Sequence, residues 1–316
     1  MRAVGIREFG GRERLEVLDV PEPKVGADVV RITVAAAGVN PVDWKLRQGR
    51  LEPAWPHVFP VVPGWDVAGV VDRVGPAVTT VAPGDEVFAY CRKHFIGEGA
   101  YAELVTVPET SVAKRPASLD LEHAGAVPLC ALTAYQALFH AAGLTAGETV
   151  LVQAAAGGVG SFAVQLAVDA GAEVIGTASE ANHEYVLGLG ATEVVDYRER
   201  DVVETVREIA PDGVDVVLDV YGGDALQRSV DAVRDGGRIV SIGQPPTDEV
   251  FRQRGIEAVY VFVRPDAEQL SEIADLFDAE RLSVHLGEVL PLEHAARAHE
   301  LSEAGHVRGK LVLRVD

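Results

Sequence analysis

Residues 148–160 have the sequence Glu148-Thr149-Val150-Leu151-Val152-Gln153-Ala154-Ala155-Ala156-Gly157-Gly158-Val159-Gly160. The segment begins as a short apolar run, which is typical of a buried parallel strand, and then turns through glycines. After the turn, apolar residues recur every three or four positions, as on one face of a helix: Val159, Phe162, Ala163, Leu166, Ala167 and Ala170. A strand, a glycine-rich turn and a helix in this order predict a dinucleotide-binding site.

The residues of this turn have distinct predicted roles. Gly157 and Gly158 would permit the tight turn and the close approach of a pyrophosphate, and Gly160 would let the helix pack against the strand. The N–H groups at the start of the helix, around Ala156 and Val159, would bind the phosphates.

The turn departs from the G-x-G-x-x-G pattern at one position, since Ala155 stands where the first glycine is expected. The alternative is therefore an ordinary glycine-rich turn of an α/β domain. A second strand, predicted over residues 173–177, follows at the distance expected of a βαβ unit of about 30 residues. This spacing favours the dinucleotide site.

The residues after the second strand bear on the choice of cofactor, because an NAD site usually places a carboxylate there to bind the ribose 2′-OH. Here Ser179 and Asn182 can hydrogen-bond a 2′-phosphate without repelling it. Tyr197 or Arg198, past a third predicted strand, can reach the same phosphate. Glu180 either points to solvent or is the missing carboxylate. We predict NADP(H) as the cofactor.

Composition limits the classes of partner. The chain has 316 residues, long enough for two domains, and carries 48 acidic against 28 basic residues, a net charge of −20. This balance argues against nucleic acid or an anionic membrane as a partner. The acidic excess fits either a high-salt habitat or a solubilising surface. Two cysteines give no disulfide framework, and without a secretory leader or a membrane-length apolar run we expect a cytoplasmic protein.

The chain changes character near residue 121. Up to about residue 115 it contains short strands separated by Pro and Gly, which predict an antiparallel, partly open barrel: residues 15–20, 29–35, 67–74, 86–90 and 100–107. Helices then alternate with strands, and four further strands bring the predicted doubly wound sheet to six: residues 194–196, 214–220, 238–242 and 257–263. Two amphipathic helices and a last strand follow: residues 267–279, 293–303 and 310–315.

Seven segments resemble the medium-chain dehydrogenase/reductase superfamily, in its zinc-free quinone oxidoreductase branch: residues 36–49, 63–71, 84–88, 99–103, 132–135, 154–160 and 309–310. The resemblance runs nearly end to end. It implies an α/β fold in which a GroES-like β-barrel catalytic domain (residues 1–120 and 265–316) is completed by the returning tail. A Rossmann NADP(H)-binding domain with a six-stranded parallel sheet would span residues 121–264. The resemblance also implies a homodimer.

A catalytic zinc needs three protein ligands, and the chain lacks them. Where the zinc alcohol dehydrogenases have a cysteine ligand and a His-Glu pair, this sequence has Asn40 and then Trp65 and Asp66. Cys130 alone stands near the third ligand position. The run over residues 91–94, Cys-Arg-Lys-His, has ligand-like spacing but no second pair. We therefore predict no metal.

The resemblance implies reduction of a quinone, or of the C=C bond of an α,β-unsaturated carbonyl, by NADPH. Enolate charge then develops on the carbonyl oxygen and requires a hydrogen-bond donor. Asn40 holds the substrate-facing position of the family, Lys45 follows it, and Tyr90 offers a hydroxyl or a stacking surface. The alternatives are turn chemistry for Asn40, solvation for Lys45 and core packing for Tyr90. No proton donor stands out, and the strand context of Asp66 favours a buried structural carboxylate.

Six more residues are assigned to the cofactor: Thr133, Val220, Tyr221, Gly243, Phe262 and Lys310. The resemblance implies that Thr133 lies near the nicotinamide. The backbone at Phe262 would meet the carboxamide, and Lys310 would reach the phosphates. Val220 and Tyr221 stand at the end of one predicted strand and Gly243 follows the next, at the carboxyl edge of the sheet where ligands bind in this architecture. The alternatives are sheet core for the apolar residues and a plain turn for the glycine.

Two other functions remain as alternatives. One is a structural or regulatory NADPH-binding protein with little turnover, which an intact glycine turn without a recognisable acid would suit. The other, a zinc alcohol dehydrogenase, conflicts with the missing ligands.

Overall fold

The computed structural model describes residues 1–247 and 249–316. Its strands are β1 (Arg2–Gly5), β2 (Glu16–Asp19), β3 (Val29–Val39), β4 (Asp66–Val74), β5 (Glu86–Tyr90), β6 (Leu104–Pro108), β7 (Val112–Lys114), β8 (Thr149–Val152), β9 (Glu173–Ala178), β10 (Glu193–Asp196), β11 (Val214–Asp219), β12 (Val233–Ser241), β13 (Glu257–Tyr260), β14 (Leu286–Pro291) and β15 (Lys310–Arg314). Its α-helices are α1 (Pro41–Arg47), α2 (Leu121–Gly125), α3 (Pro128–Tyr135), α4 (Gly158–Asp169), α5 (His183–Gly188), α6 (Val202–Ile209), α7 (Gly223–Ala232), α8 (Glu249–Gln253), α9 (Ala267–Asp278) and α10 (Ala295–Ala304). A π-helical segment, Gln136–Ala141, continues α3.

The chain divides into two compact units. The first unit comprises Met1–Leu129 and Pro265–Asp316, and the second comprises Cys130–Arg264. The predicted boundary between residues 120 and 121 lies earlier than this division, because α2 packs on β3 and β4 of the first unit.

The first unit is built on a seven-stranded sheet in the order β14-β15-β3-β4-β5-β7, with β6 also pairing with β3. All of these pairs are antiparallel except β14 with β15. The tail returns to this sheet, since Leu313 of β15 lies opposite Ala37 of β3. The prediction of a GroES-like barrel completed by the tail is confirmed.

Strand β6 is shorter than predicted, because it begins at Leu104 rather than at residue 100. The preceding residues are bonded elsewhere. The N–H groups of Ala100 and Tyr101 donate to the carbonyls of Gly64 (2.8 Å) and Pro63 (3.0 Å) instead of joining the ladder with β3.

The second unit has a six-stranded, all-parallel sheet in the order β10-β9-β8-β11-β12-β13. Numbered within the unit this is 3-2-1-4-5-6, the doubly wound order, and it reverses between β8 and β11. Dinucleotides bind at the carboxyl ends of the strands beside such a reversal. The predicted Rossmann sheet is confirmed.

Helix α4 packs more deeply than a one-faced apolar pattern predicts, because every residue from Gly160 to Ala167 is buried. Its side chains help to cover the sheet that positions the turn before it. No helix among the residues described, 1–247 and 249–316, is long and apolar enough to cross a bilayer.

Candidate active site

The turn between β8 and α4 takes its left-handed residue at Ala154, with φ of 47°, and not at a glycine. The prediction that Gly157 and Gly158 supply the tight bend is wrong in this respect, since Gly157 is extended (φ −83°) and Gly158 begins the helix. A non-glycine residue in this region costs about 1–2 kcal/mol. Thr177 holds the turn, because its Oγ1 accepts from the Ala154 N–H (3.1 Å) and its carbonyl accepts from the Ala155 N–H (2.9 Å).

Gly160 allows α4 to approach this turn. A Cβ at residue 160 would lie 2.1 Å from the carbonyl oxygen of Ala154, a separation that real Cβ atoms do not show. No side chain caps the helix at Gly157, so the N–H groups of Gly158 and Val159 point out of the helix end without an intrahelical partner. This arrangement of N–H groups suits a phosphate.

Asp196 brings together the carboxyl ends of β9 and β10, where residues for a 2′-phosphate were predicted. Its carboxylate accepts from the N–H groups of Glu180 (2.9 Å) and Arg198 (2.8 Å). These hydrogen bonds, with that from Arg198 the largest contribution, lower the pKa of Asp196. Asp196 was not among the predicted site residues. The feature of the sequence that could have indicated it is a carboxylate at the end of an apolar run.

The predicted 2′-phosphate residues lie along this edge. The Asn182 carboxamide donates to the Ser179 hydroxyl (3.2 Å), and both side chains are half-buried. Tyr197 is 44% exposed, and the guanidinium carbon of Arg198 lies 5.6 Å from the centre of its ring. Glu180 is exposed.

Asp219, another residue that the sequence analysis missed, joins the loops after β11 and β12. It is fully buried and accepts from the Gly222 N–H (3.0 Å) and the Ser241 hydroxyl (2.6 Å). The Ser241 oxygen in turn accepts from the Gly243 N–H (3.2 Å). A Cβ at residue 243 would lie 2.5 Å from the Gly222 nitrogen, so the two loops touch through glycine backbone.

The remaining predicted cofactor residues of the second unit differ in exposure. Val220 is half-buried, Tyr221 is 61% exposed, and Phe262 is 39% exposed. Thr133 is buried on α3.

Gln136 links the helix that carries Thr133 to the segment that follows β13. Its Nε2 donates to the Arg264 carbonyl (2.9 Å), and its Oε1 accepts from the Arg264 N–H (3.0 Å). This reciprocal pair was not foreseen from the sequence, because an isolated glutamine carries no local signal.

Lys310, which is predicted to reach the cofactor phosphates, is bonded within the first unit. It lies in the first unit, 3% exposed, and its ammonium donates to the Asn40 side-chain oxygen. The same nitrogen lies 3.4 Å from an Asp66 carboxylate oxygen and 3.3 Å from the Val39 carbonyl. The ammonium is therefore committed to a buried cluster of the first unit.

Asn40 is likewise not a substrate-facing donor in this structure. It is fully buried, and its carboxamide donates to Asp66 (2.8 Å) while accepting from Lys310. The turn chemistry considered for it is present, since Asn40 caps α1 with Pro41 in the first turn. Asp66 also accepts from the Leu129 N–H (2.6 Å), which agrees with the expectation of a buried structural carboxylate.

A chain of buried polar side chains leads to Asp43 of α1. Arg47 can only donate, so Nδ1 of His299, 3.3 Å away, accepts, and the ring proton lies on Nε2. Nε2 then donates to the Tyr101 hydroxyl (3.3 Å), which donates to Asp43 (3.3 Å). Asp43 also accepts from the N–H of Asn40 (2.7 Å).

Burial dominates the pKa values in this chain. It raises the pKa of Asp43 to about 7, against the opposing hydrogen bond from the Asn40 N–H. It lowers the pKa of His299 to about 3, with a further contribution from the Arg47 charge. Burial also raises the pKa of Asp66, which Lys310 opposes.

These features can be compared with known proteins. The chain matches the family described as "Zinc-binding dehydrogenase" over residues 189–313 and that described as "Alcohol dehydrogenase GroES-like domain" over residues 26–117. It is 35% identical to the quinone oxidoreductase of Lama guanicoe, over 99% of this chain and 97% of that protein. The chain belongs to the quinone oxidoreductase branch of the medium-chain dehydrogenase/reductase superfamily. It is therefore an oxidoreductase.

Solved structures of this superfamily share its fold over their whole length. The Escherichia coli quinone oxidoreductase complexed with NADPH has a TM-score of 0.90 at 29% identity, covering 99% of this chain and 100% of that one. A structure titled "NAD-dependent alcohol dehydrogenase" has a TM-score of 0.91 at 35% identity, with full coverage of both chains. The carboxyl edge of the second unit, with its close-packed glycine turn and uncapped helix end, fits the nicotinamide dinucleotide of such enzymes.

The described residues of this oxidoreductase bear on the zinc that the family description names. Within residues 1–247 and 249–316, no group of three or more His, Cys, Asp or Glu side chains is arranged to hold a metal ion. Cys91 is buried and its thiol donates to the Gly64 carbonyl (3.4 Å). Burial raises the pKa of this thiol, which disfavours the thiolate that a metal would need.

Lys45 of this oxidoreductase remains available as a hydrogen-bond donor. It is half-buried on α1, and burial, with the Arg50 charge, lowers the pKa of its ammonium. It forms no ion pair with any residue that the structure describes. Lys45 thus combines partial burial with an unneutralised charge.

Tyr90 is enclosed, so the packing role considered for it is present. It is 0% exposed, with the Trp65 ring 6.2 Å and the Arg92 guanidinium 5.8 Å from its own ring. Its hydroxyl has no hydrogen-bond partner among the described side chains and backbone. Burial raises its pKa well above the ordinary value, so the O–H keeps its proton.

Proposed function

We propose that this protein transfers a hydride from NADPH to quinones or to the C=C bond of α,β-unsaturated carbonyls. The observation that carries the proposal is the carboxyl edge of the second unit, where the β8–α4 turn and the loops after β9 and β11 converge. Full-length relatives named quinone oxidoreductase support the choice of acceptor.

The residues of this edge would hold the cofactor in separate parts. The N–H groups of Gly158 and Val159 would bind the pyrophosphate at the start of α4. Ser179, Asn182 and Tyr197 would bind the 2′-phosphate with neutral donors.

Asp196 supports NADPH over NADH. Its carboxylate already accepts two backbone N–H groups, so it serves as a brace between two loops. Glu180 is exposed, and we assign its carboxylate to solvent and not to a ribose 2′-OH. We therefore place the 2′-phosphate, and not a bare ribose, at this edge.

When bound, the cofactor supplies the hydride. The charge that develops on the acceptor oxygen needs a donor. Lys45 is our first assignment because its ammonium is partly desolvated and, apart from the Trp44 ring 5.6 Å away, has no ion-pair partner among the described residues. Tyr90 is the second, because a buried O–H without an acceptor costs about 1–3 kcal/mol and a carbonyl oxygen would satisfy it. Asn40 orients α1, which carries Lys45, and does not itself meet the substrate.

Stopped-flow absorbance of NADPH oxidation tests the proposal. The protein is mixed with NADPH or NADH against 1,4-benzoquinone and a cyclic enone, after removal of metal by chelation. We expect fast oxidation of NADPH and slower oxidation of NADH. Lys45→Met should lower kcat by about 10²-fold with little change in the Kd for NADPH, as for loss of an oxyanion donor.

Lys114→Met is the matched control, because Lys114 is exposed and paired with Asp85 (3.3 Å). It should leave the rates unchanged. Tight NADPH binding without oxidation of either acceptor would favour a binding protein with little turnover. Rapid alcohol oxidation with NAD⁺ would instead favour the alcohol dehydrogenase alternative.

We also propose that the protein is a cytoplasmic homodimer, as its resemblance to the family implies. Sedimentation velocity over a tenfold concentration range would separate a stable dimer from a monomer.

A further inference from the structure

A cavity of about 440 Å³ lies within the first unit, and its lining includes none of Asn40, Asp66 and Lys310. Three cationic side chains line it, Lys24, Arg92 and Lys93, of which Lys93 is paired with Glu98. No acidic residue lines it among the residues that the structure describes. In size it falls within the range of pockets that hold small organic ligands.

This concentration of basic residues contrasts with the rest of the chain. The net charge is −20, and two of the protein's few lysines line this one cavity. A local positive surface on an acidic protein attracts small anions that the surrounding field repels. Residues 92–94, part of the run over residues 91–94, line this cavity.

The basic side chains are fixed to different degrees. Lys93 is 13% exposed and donates to Glu98 (2.5 Å) and to the Thr106 hydroxyl (2.9 Å), so it forms part of the wall. The Arg92 guanidinium lies 5.5 Å from the Trp55 ring centre, which sets its position. Lys24 is exposed and forms no ion pair with the described residues.

The rest of the lining is largely apolar. Phe95, 37% exposed, stands beside Val107, Pro108 and Pro265, and the hydroxyl-bearing Thr106 and Thr110 complete the wall. A ligand that uses both kinds of surface has an anionic group and an apolar body.

We propose that this cavity binds a small organic anion, in which Lys24 and Arg92 hold a carboxylate or phosphate group while its apolar body packs against Phe95 and Val107. The proposal concerns binding, and neither Lys24 nor Arg92 is assigned a role in the hydride chemistry, although Arg92 lies 5.8 Å from the ring of Tyr90.

Isothermal titration of the full chain tests it with benzoate, phenyl phosphate and benzamide. We expect saturable binding of one or both anions, and about tenfold weaker binding of benzamide, which keeps the ring but lacks the charge. The two anions distinguish a carboxylate site from a phosphate site. Lys24→Gln should weaken the anion that binds by about tenfold.

Lys114→Gln removes the same charge outside the cavity and is the matched control. Lys114→Gln should leave anion binding unchanged. If the anion bound at the dinucleotide edge instead of in the cavity, Lys24→Gln would not weaken its binding. Absence of saturable anion binding would overturn the proposal. An affinity for benzamide equal to that for the anions would also overturn it, as would equal effects of the Lys24 and Lys114 variants on anion binding. Thermal unfolding would confirm that each variant is folded.

Discussion

Replacing Lys310 by methionine tests whether the buried cluster of the first unit depends on its cation. The ammonium lies 3.4 Å from Asp66, and both side chains are almost completely buried. At an effective dielectric constant of about 20, two unit charges at this separation attract by about 5 kcal/mol. Removing one partner of a buried pair costs about 3–5 kcal/mol, because the other charge is left uncompensated. We expect Lys310→Met to lower the free energy of unfolding by this amount at pH 8.

The assay can be confined to the first unit. All three tryptophans, Trp44, Trp55 and Trp65, belong to that unit, so tryptophan fluorescence during urea denaturation follows its unfolding. A lower midpoint at an unchanged slope reports lost stability rather than a change in compactness. The loss should grow as pH rises, because without Lys310 only the hydrogen bonds from Asn40 and from the Leu129 N–H oppose the effect of burial, which raises the pKa of Asp66.

A second variant and a surface control define the outcome. Asp66→Asn combined with Lys310→Met removes both charges and should recover about 2 kcal/mol relative to Lys310→Met alone. Arg314→Met, on the same strand but half exposed, should change stability by less than about 1 kcal/mol. A loss below about 1 kcal/mol for Lys310→Met, or no recovery in the double variant, would refute the reasoning. A folded Lys310→Met protein with much weaker NADPH binding would support the predicted role of Lys310 at the cofactor phosphates.

Two further predictions follow from the geometry. Gly160→Ala should weaken NADPH binding by at least about tenfold in calorimetric titration, because its Cβ would lie 2.1 Å from the Ala154 carbonyl oxygen. Gly188→Ala is the control, because a Cβ at residue 188 would have no atom within 4 Å. Equal NADPH affinities of the two variants would contradict the prediction. Asp43, whose pKa is raised to about 7, contributes stability that is lost as pH rises from about 4 to 7. His299, whose pKa is lowered from 6.5 to about 3, contributes stability that is lost as pH falls from about 6.5 to 3. Urea titrations from about pH 3 to 7 should therefore show that the difference in free energy of unfolding between wild type and Asp43→Asn shrinks as pH rises. The difference between wild type and His299→Gln should grow as pH rises. Parallel pH profiles for wild type and both variants would show that neither group titrates as described.

The dinucleotide edge could be predicted because its signals are local. An apolar strand, a glycine turn and an apolar helix lie within residues 148–170, and parallel strands bring their carboxyl ends to one edge. Even there the detail differed, since the left-handed residue is Ala154. The N–H groups of Ala154 and Ala155 donate to Thr177 on the next strand, so the sequence of the turn does not reveal the hydrogen bonds that hold it.

The cluster around Lys310 could not be predicted in this way, because strand register creates it. Leu311 pairs with Val39, so the residue before Leu311 falls beside the residue after Val39, and these are Lys310 and Asn40. No local pattern sets the register between strands so far apart in the chain. A lysine before the apolar run of β15 resembles a surface residue until that pairing is known. Once the pairing is known, its burial follows, and so does the need for a carboxylate, which Asp66 provides from the neighbouring strand β4.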